Sequence, residues 1–139
     1  MNKITLKYEL DLNFTLIAIT CPLKDYQLCF YINRSTGLNL VKSEDYEILV
    51  PKSRSLFFTK YSYISSIEET EFYLIGNKGI EGGILISEAK TTDYFMLIKG
   101  FIDDEDFLAL INAINQIKGV VVATEIEVEK LKSKENLVF

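Results

Sequence analysis

Two stretches of this chain are built to one plan, and that repetition limits the folds open to it. Phe14-Thr15-Leu16-Ile17 leads through a helical stretch to Gly37 and on to Leu38-Asn39-Leu40. Phe95-Met96-Leu97-Ile98 leads through another to Gly119 and on to Val120-Val121-Val122. The glycine lies 23 positions after the phenylalanine in the first unit and 24 after it in the second. Two strand-helix-Gly-strand units of nearly equal length predict a pseudo-symmetric α+β domain. Its sheet is expected to be mainly antiparallel with two helices on one face, a ferredoxin-like (split βαβ) arrangement with an extra central meander. Two units are too few for a solenoid.

The periodicity supports that outline. Residues 24–36 run without a breaker, Pro22 suits a first helical turn, and the arc spanning Tyr26, Cys29, Phe30 and Asn33 with Leu28 and Ile32 predicts a well-buried helix. Phe107, Leu110, Ile111, Ile114 and Ile117 recur at three- and four-residue steps and define the second helix. Asp103-Asp104-Glu105-Asp106 before it supplies a cap and the negative charge that a helix N-terminus favours, without the alternating spacing of a calcium loop. Strands are expected over 4–10, 14–20, 56–65, 71–75, 84–86, 93–99 and 120–128, with 93–99 apolar on both faces and therefore central. Gly76 to Gly83 lacks the P-loop order and reads as a hairpin end. One domain over 1–129 is expected, followed by a polar, solvated tail over 130–139.

Composition narrows the chemistry. Histidine is absent from the 139 residues, which removes Ser-His-Asp and Cys-His constellations and imidazole-based zinc sites. Cys21 and Cys29 form no Cys-x-x-Cys pair and are expected as reduced core thiols. A net charge of -5 argues against nucleic acid, and Lys130, Lys132 and Lys134 are interleaved with Glu129 and Glu135. No apolar run approaches the ~20 residues of a membrane span and the first residues do not resemble a secretory signal, so the cytoplasm is the expected compartment and no membrane partner is expected. No cofactor is expected.

Ile86-Ser87-Glu88-Ala89-Lys90-Thr91-Thr92-Asp93-Tyr94 resembles the signature of the bacterial IPExxxVDY family. Ile86, Glu88, Asp93 and Tyr94 match its letters, while Ser87 and Thr92 replace its proline and valine. Residues 23–29, 37–40 and 94–100 also look like that family. The resemblance implies a small cytosolic protein without an assigned activity. Residues 110–123 look like the helix-Gly-Val-strand segment of ACT domains, which implies a module that binds small molecules at a dimer interface. Lys99 to Asp104 lacks the proline-glycine turn of those domains, so no ligand residue is carried over.

Glu88 and Asp93, with the Tyr94 phenol, are the candidate acid/base or hard-cation group. Their odd separation puts them on opposite faces of an extended chain, so they meet only across a turn at 89–92; otherwise they bond the backbone of that turn. Tyr61, Tyr63 and Tyr73 are the candidate interaction surface, on a sheet face away from the helices, with Phe57, Phe58 and Phe72 filling the core. The expected function is non-enzymatic: contact with an unidentified protein partner, or self-association as a homodimer. Two further functions fit the sequence, an ACT-like small-molecule-binding regulatory module and a metal-dependent enzyme using Glu88 and Asp93.

Overall fold

A computed structural model describes residues 13–50 and 54–139; the strand expected over 4–10 lies outside the described residues. Along the chain come β1 (Phe14–Thr20), α1 (Asp25–Thr36), β2 (Val41–Lys42), β3 (Tyr46–Leu49), β4 (Ser55–Phe58), β5 (Lys60–Ser65), β6 (Thr70–Gly76), β7 (Tyr94–Lys99), α2 (Asp104–Asn115) and β8 (Val122–Ile126). Two short 3-10 turns, Val128–Lys130 and Lys134–Leu137, follow.

Six strands form one sheet in the order β2-β5-β6-β7-β1-β8, every neighbouring pair antiparallel, while β3 and β4 make a separate hairpin. It follows that β7 and β8 run parallel with β1 between them, so β7-α2-β8 is a split βαβ unit. The unit β1-α1-β2 spans the rest of the sheet. The fold is α+β, as the paired units predict. Each helix is tied to the chain beyond its glycine by the same device, an asparagine four residues before that glycine. The Asn33 side chain donates to Leu40 O at 3.0 Å and accepts from Leu40 N at 2.9 Å; Asn115 bonds Ala123 O and N the same way, both at 2.8 Å.

Leu28, Cys29 and Ile32 of α1 and Leu110 and Ile114 of α2 pack on Ile17, Ile19, Leu74, Met96 and Ile98, so both helices lie on one sheet face. The arc of α1 is narrower than its sequence predicts, because Tyr26 and Phe30 point to solvent. α2 is capped as expected, the Asp103 carboxylate accepting the Asp106 N–H at 2.7 Å. Pro22 precedes α1 instead of entering its first turn; Lys24 is the N-cap.

The second sheet face is covered too, which the sequence does not reveal. Leu16, Ala18, Tyr73, Ile75, Phe95 and Leu97 meet Phe58 of the hairpin, Leu85 and Ile86, and Val128, Leu131 and Leu137. The segment expected as a solvated tail is therefore docked: Leu131 is 8% exposed and Leu137 0%. Its polar letters hide the apolar residues that recur between them. The Phe139 ring completes the contact, 5.1 Å from that of Tyr46 and 5.0 Å from that of Tyr73. Two further expectations change. The run 56–65 divides at Thr59, whose carbonyl accepts the Gly76 N–H at 3.0 Å, and its halves join different sheets. Residues 84–86 form no strand beyond the isolated bridge Lys78↔Ile84.

The long connection 77–93 is held by one buried residue. The Asn77 amide donates to Ala89 O at 2.9 Å and Thr92 O at 2.8 Å, and its oxygen accepts the Ile86 N–H at 2.8 Å. Asn77→Ala leaves these groups without that partner, each worth about 1–3 kcal/mol when buried. Urea denaturation is expected to show a loss of about 3 kcal/mol or more; a loss below about 1 kcal/mol would deny Asn77 this role.

Candidate functional site

Three of the signature residues hydrogen-bond other parts of the chain. Asp93 Oδ2 accepts the Cys21 N–H at 2.7 Å and Oδ1 accepts from Lys78 Nζ at 3.3 Å, while the Tyr94 phenol donates to Leu23 O at 2.6 Å. Together they fix the end of β1 and the turn into α1. Burial, then the electrostatic influence of Asp25, Cys21 and Asp93, pushes the Tyr94 phenol up from its ordinary value. Glu88 faces elsewhere, Oε2 accepting the Ser133 N–H at 2.8 Å and Oε1 the Ser133 hydroxyl at 2.9 Å. Ile86 is fully buried in the second core. The turn at 89–92 thus does not bring the two carboxylates onto a common partner. Among the described residues, no group of three or more His, Cys, Asp or Glu is placed to hold a metal ion.

The expected tyrosine surface is corrected. Tyr61 opposes Leu74 and Tyr63 opposes Phe72, on the helix side, whereas Tyr73 opposes Ser62 and points to the other face. Residues directly opposite one another share a face, and the face alternates along each strand, so Tyr73 cannot join the other two. Tyr61 is 7% exposed, its phenol donating to Asp25 Oδ2 at 2.8 Å; Tyr73 is 9% exposed, donating to Glu71 Oε1 at 2.5 Å. Tyr63 is half-buried and stacks on Phe72 with ring centroids 6.2 Å apart. Burial, then the bond to Glu71, pushes the Tyr73 phenol up to about 12. Phe58 and Phe72 are buried as expected, but Phe57 is exposed.

Cys21 and Cys29 are free and buried. Burial pushes both thiols up from their ordinary value, away from the nucleophilic thiolate.

The principal concavity lies on the helix side. A cleft of about 660 Å³ opens between the end of α1, the β5–β6 turn and the start of α2. Local sequence creates it. α1 stops at Gly37, whose φ of 82° turns the chain away, and α2 presents Ala109 and Ala113, one turn apart, where its other apolar positions are large. Leu38, Phe72 and Leu110 make an apolar floor, and Glu68, Asp103 and Asp106 bring carboxylates to its lining. Gly100 precedes the lining residue Phe101; its φ is +90° and a Cβ there would lie 2.6 Å from Glu69 O, so only glycine allows the approach. Phe101 beyond it is 76% exposed, its carbonyl held by the Thr70 hydroxyl at 2.7 Å. A smaller cleft of about 360 Å³ lies at the turn into α1, beside Cys21, Asp25, Lys78 and Asp93.

The sequence by itself does not disclose the large cleft, although small residues at 109 and 113 in an otherwise bulky stripe are its trace. In the chain Asn77 looks like a turn residue and Ser133 like part of a tail. No family model matches the chain, and no curated protein matches it.

Burial alone would raise the Glu88 carboxyl, but bonds from the Ser133 backbone and hydroxyl and the backbone of Glu88 and Lys132 outweigh it and hold it below its ordinary value. A depressed folded-state value stabilises the protein above the unfolded-state value and loses that contribution as pH falls through the folded one. Glu88→Gln is therefore expected to be less stable than wild type at pH 7, with the gap closing on acidification through the carboxylate range. Urea midpoints across pH 7 to 3 check this; a pH-independent gap would contradict it.

Proposed function

We propose that this chain is a binding module rather than a catalyst, and that its ligand enters the cleft between α1, α2 and the sheet. The observation that carries this reading is the cleft itself: about 660 Å³, apolar at the floor and polar at a few points, within the ~300–1,000 Å³ range of small-molecule sites. The state of the candidate reactive groups supports it. Both thiols are buried, and Glu88 and Asp93 are engaged by separate backbone partners. The cleft replaces the tyrosine plane as the recognition surface, since the three tyrosines lie on two covered faces. The split βαβ order around residues 110–123 supports a regulatory small-molecule module over a metal-dependent enzyme built on Glu88 and Asp93. The likeness of residues 86–94 to the IPExxxVDY family, and a cytoplasmic setting, remain part of the proposal. No described helix is long and apolar enough to cross a membrane.

One observation favours self-association as a second reading. Among the described residues β8 has no strand partner besides β1, the Asn115 side chain takes the Ala123 backbone on its outer side, and Val121 and Val122 beside that edge are exposed. An open edge can pair with a second copy. Light scattering on the eluting protein tests it: a strict monomer at millimolar concentration removes this reading.

The cleft is tested by filling it. In a thermal-shift screen of amines, amino acids, nucleotides and sugars, a ligand present at 100 times its Kd stabilises by about 2.7 kcal/mol, a shift of several degrees in Tm. Ala113→Phe is expected to abolish the shift while the circular dichroism spectrum stays that of wild type. Absence of any shift across the screen, or a shift that survives the substitution, overturns the proposal.

A further inference from the structure

The charges on the cleft are of one sign. Glu68 comes from the β5–β6 turn, and Asp103 and Asp106 from the start of α2; no lysine or arginine is among the described lining residues. Asp103 spends one oxygen on the cap of α2, but the Glu68 and Asp106 side chains have no hydrogen-bond or ion-pair partner among the described residues. Below them the floor of Leu38, Phe72 and Leu110 carries no charged group.

Resting on the cleft reading, we propose that the ligand is an organic monocation: an aryl or alkyl body seated on the floor, with one protonated amine held by Glu68 and Asp106. Three competing ligand classes fail on the same geometry. An inorganic cation would need converging ligands, and no group of three or more His, Cys, Asp or Glu among the described residues could hold one. An anion would normally be drawn to the N-terminus of α2, whose dipole is equivalent to about half a positive charge. Here Asp103 caps that terminus and Asp104, Glu105 and Asp106 crowd its first turn, so the local field is negative. A zwitterionic amino acid has a suitable ammonium, but its carboxylate meets only like charge and no cationic partner. A monoamine avoids that repulsion and buries its apolar part against the floor. The preference for amine over amino acid separates this site from the ligand class that the ACT likeness implies.

The test is calorimetric titration of the full chain with phenethylamine, its neutral counterpart 2-phenylethanol, 3-phenylpropionate, phenylalanine and calcium. The amine is expected to bind about tenfold or more tighter than the alcohol, with no binding of the other three; charge-assisted hydrogen bonds of this kind carry that much discrimination. Asp106→Asn, which leaves the Asp103 cap to the backbone untouched, and Glu68→Gln are each expected to weaken the amine about tenfold, and added salt weakens it further. Failure of the amine to bind, equal or tighter binding of phenylpropionate or phenylalanine, or an affinity unchanged in both variants overturns the proposal. Ala113→Phe, with Ala109→Leu as a second plug should the first misfold, separates the two levels. An alcohol or anion that binds wild type and is lost on plugging leaves the cleft standing and removes only the charge preference. Amine binding that survives both plugs removes the cleft itself.

Discussion

The central antiparallel pair of β1 and β7 carries the molecule. In their register, from Phe14↔Lys99 to Ile19↔Tyr94, Leu16 faces Leu97 and Ile17 faces Met96. One set feeds the core under the helices and the other the core beneath the hairpin and the final segment. A register slip of one residue would exchange the two sets, so both covering layers depend on this pairing. It also joins the two repeated units, since β1 opens the first and β7 the second. The sheet does not keep the pseudo-symmetry of the chain, since β8 lies beside β1 while β6 and β5 separate β2 from β7, but the two matched asparagines close each unit in the same way.

Everything on the second face arrives by non-local contact. The connection 77–93 forms no sheet of its own and takes its shape from Asn77, which satisfies three backbone groups at once. Glu88 then extends from that connection to hold Ser133, and so lays Leu131 and Leu137 on the sheet. Side-chain-to-backbone hydrogen bonds of this kind substitute for a regular ladder where the backbone lacks secondary structure. The signature-like stretch thus serves assembly at both ends: Asp93 and Tyr94 fasten the β1–α1 turn, and Glu88 the covering segment.

The cleft arises where that packing is incomplete. Both helices reach the sheet, but Gly37 removes the chain at the end of α1 and two alanines keep α2 thin, leaving a gap floored by Leu38, Phe72 and Leu110. Of the acidic residues beside it, Asp103 caps α2 while the Glu68 and Asp106 side chains do not, and the half-charge of one helix terminus is small against their combined negative charge.

Local order was legible in the chain alone. The 3.6-residue stripe of α2, its acidic cap, the doubly apolar β7 and the paired strand-helix-Gly units all follow from periodicities that repeat within a few residues, and they were sufficient for the α+β class and the side on which the helices lie. What the sequence could not express is which residues meet across long separations. Tyr61 and Tyr73 look alike in the chain, yet a parity difference across the β5–β6 hairpin sends them to opposite faces. Thr59 divides a run that reads as one strand because its carbonyl is taken by Gly76, and residues 130–139 read as tail because Leu131 and Leu137 are separated by charges. The cleft depends on a gap between elements that no single element contains. Each of these is settled by strand pairing and by the competition for buried surface, and those exist only once distant parts of the chain have come together.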